Sequence, residues 1–109
     1  MNLIQHFVNG KAYKGSSSKK GKVYNPATGD QESEVILGNK EDLNKTVEIA
    51  KKAYESWSLK PPLQRARVMF KFKELIKKNS DEITKMIVAE HGKVYEDAKG
   101  SLTRGLEVV

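Results

Sequence analysis

The stretch Glu90-His91-Gly92-Lys93-Val94-Tyr95-Glu96-Asp97-Ala98-Lys99-Gly100-Ser101-Leu102-Thr103-Arg104-Gly105-Leu106-Glu107-Val108-Val109 decides how the rest of the chain is read. Gly92 marks the stop of one helix, because glycine enters the left-handed conformation just past a helix end at little steric cost. A second helix is predicted from about Val94. In it Val94, Ala98, Leu102, Gly105 and Val109 recur at three- and four-residue steps, so they share one face, the face expected to be buried. Gly100 and Gly105 each cost about 1 kcal/mol against alanine inside a helix, so a close approach of another backbone is expected there. The helix arrives at Val108-Val109 with no glycine, proline or basic last turn, which predicts that it is cut short by the end of this sequence.

Working back towards the N-terminus, Asn79-Ser80-Asp81-Glu82 carries a capping residue with Glu at the third helical position, and Ile83, Met86 and Ile87 continue that helix to Gly92. Before it, Pro62 is placed for the first turn of a helix, where its missing N–H costs nothing. Val68, Met69, Phe72, Leu75 and Ile76 mark the inner face of that helix, bracketed by Arg65, Arg67, Lys71, Lys73, Lys77 and Lys78. The first helix opens at Asn39, with Asp42 in the reciprocal capping position, and Leu43, Val47, Ala50, Tyr54 and Trp57 form an apolar stripe. Its two aromatics are read as core, in preference to a stacking platform.

The first forty residues alternate short extended runs with turn chemistry. Asn9-Gly10 between apolar runs predicts a tight hairpin, since both residues tolerate positive φ. Asn25-Pro26-Ala27-Thr28-Gly29-Asp30 predicts a second reversal, answered by a strand over Ser33–Gly38. Gly15-Ser16-Ser17-Ser18-Lys19-Lys20-Gly21 reads as a polar loop; it lacks the strand-loop-helix setting and the Gly-Lys-Ser/Thr ending of a phosphate-binding loop. Two hairpins over about residues 1–38 and about four helices over about 39–109 form an α+β pattern. No internal repeat is visible.

With 109 residues the chain has the size of one domain, and 38% hydrophobic against 31% charged residues leaves it poor in material for a self-contained core. The absence of cysteine excludes a disulfide framework, a thiolate metal site and a thiol nucleophile within these residues. No apolar run approaches the ~18 residues of a spanning helix, and the opening Met1–His6 has neither signal-peptide nor presequence character, so a cytoplasmic location and no membrane partner are expected. The net charge of +6 fits an anionic partner such as nucleic acid, or merely a local imbalance. Because the basic residues of the second helix bracket its apolar stripe on long stems, a solvated or interface face is preferred and no nucleic-acid partner is expected.

Glu90-His91-Gly92-Lys93 followed by Asp97-Ala98 resembles the Glu-x-Gly-Lys turn and Asp-Ala helix of the aldehyde dehydrogenase superfamily. His6-Phe7-Val8-Asn9-Gly10-Lys11, Asn25-Pro26-Ala27-Thr28-Gly29 and the helix ending Tyr54-Glu55-Ser56-Trp57 fit the same family. Arg104-Gly105-Leu106-Glu107-Val108-Val109 is similar to its CoA-acylating methylmalonate-semialdehyde dehydrogenase branch, the alternatives being another aldehyde dehydrogenase of different substrate preference or a small basic helical nucleic-acid-binding module. The resemblance covers nearly all of this chain but only the opening part of a family member. It implies an α/β fold in which residues 1–109 are the N-terminal portion of an NAD-binding domain. It also implies NAD and coenzyme A as co-substrates, a semialdehyde substrate and a homo-oligomer, a tetramer in the family. The implied reaction is attack of a cysteine thiolate on the aldehyde, hydride transfer to NAD and transfer of the acyl group to coenzyme A with loss of carbon dioxide.

Arg104 is the one candidate site residue. Leu102 and Arg104 lie about 200° apart on a helix, so spacing alone makes Arg104 a surface residue facing away from the stripe. The resemblance instead implies that it holds the free carboxylate of the substrate, a task for which the guanidinium fork is suited. His6 and His91 are far apart and lack metal-ligand spacing, and Glu90 and Asp97 read as helix-end or ion-pair residues. A Gly-rich dinucleotide motif is absent. Catalytic, cofactor-binding and metal-ligating residues are therefore expected to be absent from this chain, which by itself should be inactive.

Overall fold

The computed structural model describes residues 2–109 and divides them into two compact units. The first holds all five strands, β1 (Asn2–Ile4), β2 (His6–Val8), β3 (Lys11–Tyr13), β4 (Lys20–Tyr24) and β5 (Gln31–Ile36), and helix α1 (Lys40–Trp57). The second holds residues 25–29 and helices α2 (Pro62–Lys78), α3 (Ser80–His91) and α4 (Tyr95–Val108). Among the described residues no helix is long and apolar enough to cross a membrane.

In the first unit the expected hairpin forms across Asn9 (φ 54°) and Gly10 (φ 75°), pairing Val8 with Lys11 and His6 with Tyr13. β4 and β5 pair antiparallel, with an irregularity at Val23/Tyr24. The strand expected over Ser33–Gly38 starts and ends two residues earlier, at Gln31 and Ile36. β1 joins β5 in parallel, giving the order β1-β5-β4, while β2 and β3 form a separate ribbon. Sequence reasoning missed β1: a parallel partner comes through a long connection and carries no local turn signal. Ile36 at the end of β5 is the buried apolar residue of this unit.

The reciprocal cap of α1 is formed as expected. Asn39 Oδ1 accepts from the Asp42 amide at 2.9 Å, and Asp42 Oδ2 accepts from the Asn39 amide at 3.1 Å. The stripe behind it is not core within this chain: Leu43, Val47, Tyr54 and Trp57 are all exposed, Tyr54 by 66%. That corrects the reading of the two aromatics, and the reason is local: the strands give this face of α1 nothing to lie on.

In the second unit Asn25 makes an Asx turn to the Ala27 amide (2.9 Å), and Gly29, at φ 81°, closes the reversal onto the Asn25 carbonyl at 2.8 Å. Pro62 opens α2 as expected. The cap expected at Asn79 is not made. Its backbone (φ −103°, ψ 16°) is not extended, and its Nδ2 turns back to the Leu75 carbonyl at 2.7 Å, closing α2 instead of opening α3. Gly92 is left-handed (φ 79°) and ends α3, as the sequence predicts. Thr84 on α3 and Ala98 on α4 are fully buried, and Thr84 Oγ1 donates to the Ser80 carbonyl at 2.7 Å.

The expected inner face of α4 is only partly realised: Ala98 is buried and Leu102 half-buried, but Val94 is 67% exposed and Gly105 faces open space. Gly105 meets no neighbour, and beside Gly100 lies only the Arg104 guanidinium, so the backbone contact expected at these glycines is absent among the described residues. On α2, Val68, Phe72 and Leu75 are likewise exposed. Helices that are amphipathic in sequence thus present apolar stripes without a cover inside the chain.

Candidate functional site

Gly92 reverses the chain between α3 and α4, and a side chain there would run into Pro26, whose Cγ would lie 2.8 Å from an added Cβ. Lys93 follows at once. Its Nζ donates to the Ser101 hydroxyl at 3.1 Å, eight residues on. Side chains on a helix lean towards its N-terminus, so Arg104 lies back over the preceding turn and its Nη2 donates to the same hydroxyl at 3.2 Å. Ser101 in turn donates to the Asp97 carbonyl at 3.1 Å. A hydroxyl has one proton to give and two lone pairs to accept with, and all three are engaged.

Two cations thus converge on one neutral oxygen. The ion pairs among the described residues are Lys20–Glu34, Lys71–Glu74 and Lys85–Asp81, and neither Lys93 nor Arg104 belongs to any of them. Arg104 is exposed and Lys93 half-buried. Chemically, such an arrangement favours an anion with two oxygens to share. Spacing alone already hinted at part of it, since Asp97, Ser101 and Arg104 follow steps of four and three on one helix. Lys93 carried no such hint.

The start of α4 is braced to α3 through Asp81, which accepts from Tyr95 Oη and from Lys85 Nζ, both at 2.7 Å. The Lys85 hydrogen bond, then that from Tyr95, holds the Asp81 carboxyl below the ordinary range. The same contacts raise the Lys85 ammonium and the Tyr95 phenol.

In the first unit the carboxylate of Asp42 is the centre of a network. Besides its capping bond it accepts from the Ser16 amide (2.6 Å), Ser16 Oγ (3.1 Å) and Tyr13 Oη (3.3 Å). The Ser16 amide is the largest influence and pulls Asp42 down to about 2, against the desolvation that raises it. The loop expected from Gly15 to Gly21 is therefore anchored at Ser16 and not merely solvated, and it ends at Lys19, because Lys20 and Gly21 already pair with Ile36 and Val35 in β4. It also cannot cradle a phosphate: Gly15 sits against a carboxylate, which would repel a pyrophosphate. This loop therefore does not fit the pyrophosphate of a dinucleotide.

The remaining sequence candidates stay apart. His6 lies in the first unit with Nε2 buried and unpartnered; His91 is exposed at the end of α3, and Glu90 and Asp97 are exposed. Among the described residues no group of His, Cys, Asp and Glu could hold a metal ion. On α2, Lys71 pairs with Glu74, and Lys77 and Lys78 sit in the last turn, where cations favour the helix end.

A family model described as the aldehyde dehydrogenase family matches residues 13–109. The chain is 38% identical over 106 residues to malonate-semialdehyde dehydrogenase of Halalkalibacterium halodurans, covering 97% of this chain and 22% of that protein. A crystal structure from Sinorhizobium meliloti 1021, described as a methylmalonate-semialdehyde dehydrogenase complexed with NAD, superposes with a TM-score of 0.96 at 42% identity, covering 99% of this chain and 22% of the other. Succinate-semialdehyde dehydrogenase from Burkholderia pseudomallei superposes with a TM-score of 0.87 at 25% identity, covering 94% of this chain and 21% of the other. The chain thus spans 22% of the length of the curated relative it matches.

Proposed function

This chain belongs to the aldehyde dehydrogenase family, and from that premise we propose that residues 1–109 are the N-terminal portion of the NAD-binding domain of a CoA-acylating malonate or methylmalonate semialdehyde dehydrogenase. The observation that carries the branch is the gap in similarity: 42% identity to the methylmalonate-semialdehyde structure against 25% to the succinate-semialdehyde one, over nearly the same residues. In this reading the enzyme oxidises the aldehyde with NAD and delivers the acyl group to coenzyme A with release of carbon dioxide. It works as a cytoplasmic homo-oligomer, a tetramer by resemblance to the family.

The nucleophile of that chemistry lies outside this chain, which has no cysteine and whose loop after Gly15 packs on the Asp42 carboxylate. Its own contribution is recognition. A semialdehyde of a dicarboxylic acid brings a charge that must be paired when it leaves water, and Arg104 is the side chain proposed to pair it. Its exposure, its position on α4 and its freedom from any acidic partner among the described residues support this role.

The test is an assay of the full-length dehydrogenase with malonate semialdehyde and NAD, with and without coenzyme A. NADH formation that depends on coenzyme A, with acetyl-CoA and carbon dioxide as products, is the expected result. Release of a free acid without coenzyme A, or a preference for uncharged aldehydes, overturns the assignment.

A further inference from the structure

We propose that Lys93 is a second substrate-binding cation, which contacts the same carboxylate as Arg104 and is held beside it by Ser101. The inference rests on the role proposed for Arg104 and extends it to Lys93, the lysine of the Glu-x-Gly-Lys turn, to which the resemblance assigned no function. Three observations carry it. Lys93 Nζ and Arg104 Nη2 are each one hydrogen bond from Ser101 Oγ, at 3.1 and 3.2 Å, so the two positive charges lie within two hydrogen-bond lengths of each other. Neither has a carboxylate within ion-pair distance among the described residues. The hydroxyl between them is saturated, because its proton goes to the Asp97 carbonyl, and a neutral oxygen leaves both charges uncompensated.

Like charges repel, so side chains with free stems would normally swing apart in water. Here the geometry of α4 and the Gly92 turn keeps them together. The Arg104 guanidinium also lies beside Gly100, its Nη1 3.5 Å from where a Cβ would be, an ordinary packing distance. A carboxylate fits such a pair better than a halide or a single-oxygen ligand does. One of its oxygens can take the guanidinium and the other the ammonium, and both bonds are charge-assisted. Ser101 is a positioning residue in this arrangement: it touches both cations and need not touch the ligand.

The test compares kcat/KM for a carboxylated semialdehyde with that for an uncharged aldehyde of equal length in the full-length dehydrogenase. In Lys93→Met the ratio of the two is expected to fall about tenfold, mainly through KM of the carboxylated substrate, the loss of one charge-assisted hydrogen bond. Lys93→Arg restores most of it. Ser101→Ala, which removes no charge, lowers the ratio severalfold, and it serves as the readout if Lys93→Met does not fold. An unchanged ratio in Lys93→Met, or an equal loss on both aldehydes, overturns the proposal; with that variant unfolded, the same results in Ser101→Ala do so. Arg104→Ala separates the two claims. If it collapses the ratio while Lys93→Met leaves it intact, only the second cation is wrong; if it too leaves the ratio intact, the reading of Arg104 fails with it.

Discussion

The amide of Ser16 donates to the carboxylate of Asp42 at 2.6 Å, across 26 residues of chain, and so joins a loop to the first turn of a helix. Asp42 is 4% exposed and also closes the cap of α1, so one carboxylate ends the loop and begins the helix.

That carboxylate should make the fold acid-sensitive. Its pKa is about 2 in the folded chain against an ordinary 3.8. A depressed folded pKa contributes stability that is fully present above the unfolded value and is lost as pH falls through the folded one. Between about pH 4 and pH 2 the parent protein should lose stability faster than Asp42→Asn, which is less stable at neutral pH. Urea midpoints measured across that range check this, and parallel curves for the two proteins would contradict it.

Two glycines with nearly the same φ provide a control on the same contact. Gly10 (φ 75°) faces open space, whereas a Cβ on Gly15 (φ 71°) would lie 2.7 Å from Asp42 Oδ1. Gly10→Ala should cost about 1 kcal/mol, the strain of the left-handed backbone alone. Gly15→Ala should cost about 2 kcal/mol or more, because it also displaces the carboxylate. Equal losses in denaturant unfolding would remove the steric argument.

Ala98 is fully buried on α4, in the unit where that helix packs on α3. Ala98→Leu should therefore destabilise by about 1–3 kcal/mol through overpacking, and Ala98→Gly by about 1 kcal/mol through helix propensity. Thermal melts of the two variants check the order.

Arg104→Ala in the full-length dehydrogenase should lower kcat/KM for carboxylated semialdehydes by roughly one to two decades, the value of about 1.5–3 kcal/mol for a charge-assisted bond. Kinetics with paired charged and uncharged aldehydes measure it.

By itself the 109-residue chain should show no NAD-dependent turnover, since it has no cysteine and no Gly-rich dinucleotide motif. With Leu43, Tyr54, Val68 and Phe72 exposed, it should also self-associate as concentration rises, which sedimentation would reveal. NADH production, or a concentration-independent monomer, would count against these expectations.

Sequence by itself determined the local events: the Asn9-Gly10 turn, the Asn39–Asp42 cap, the start at Pro62 and the stop at Gly92 each depend on a backbone preference carried by one or two residues. The tertiary structure alone decided what joins distant segments. The parallel seat of β1 on β5, the capture of Ser16 by Asp42 and the reach of Lys93 to Ser101 have no periodicity to betray them. Exposure was settled there too, since a stripe such as Leu43 to Trp57 states that a helix has an apolar side but not what covers it. The physical reason is range: dihedral preferences act within a few residues, while a hydrogen bond or a buried face requires a partner that only the folded chain brings within reach.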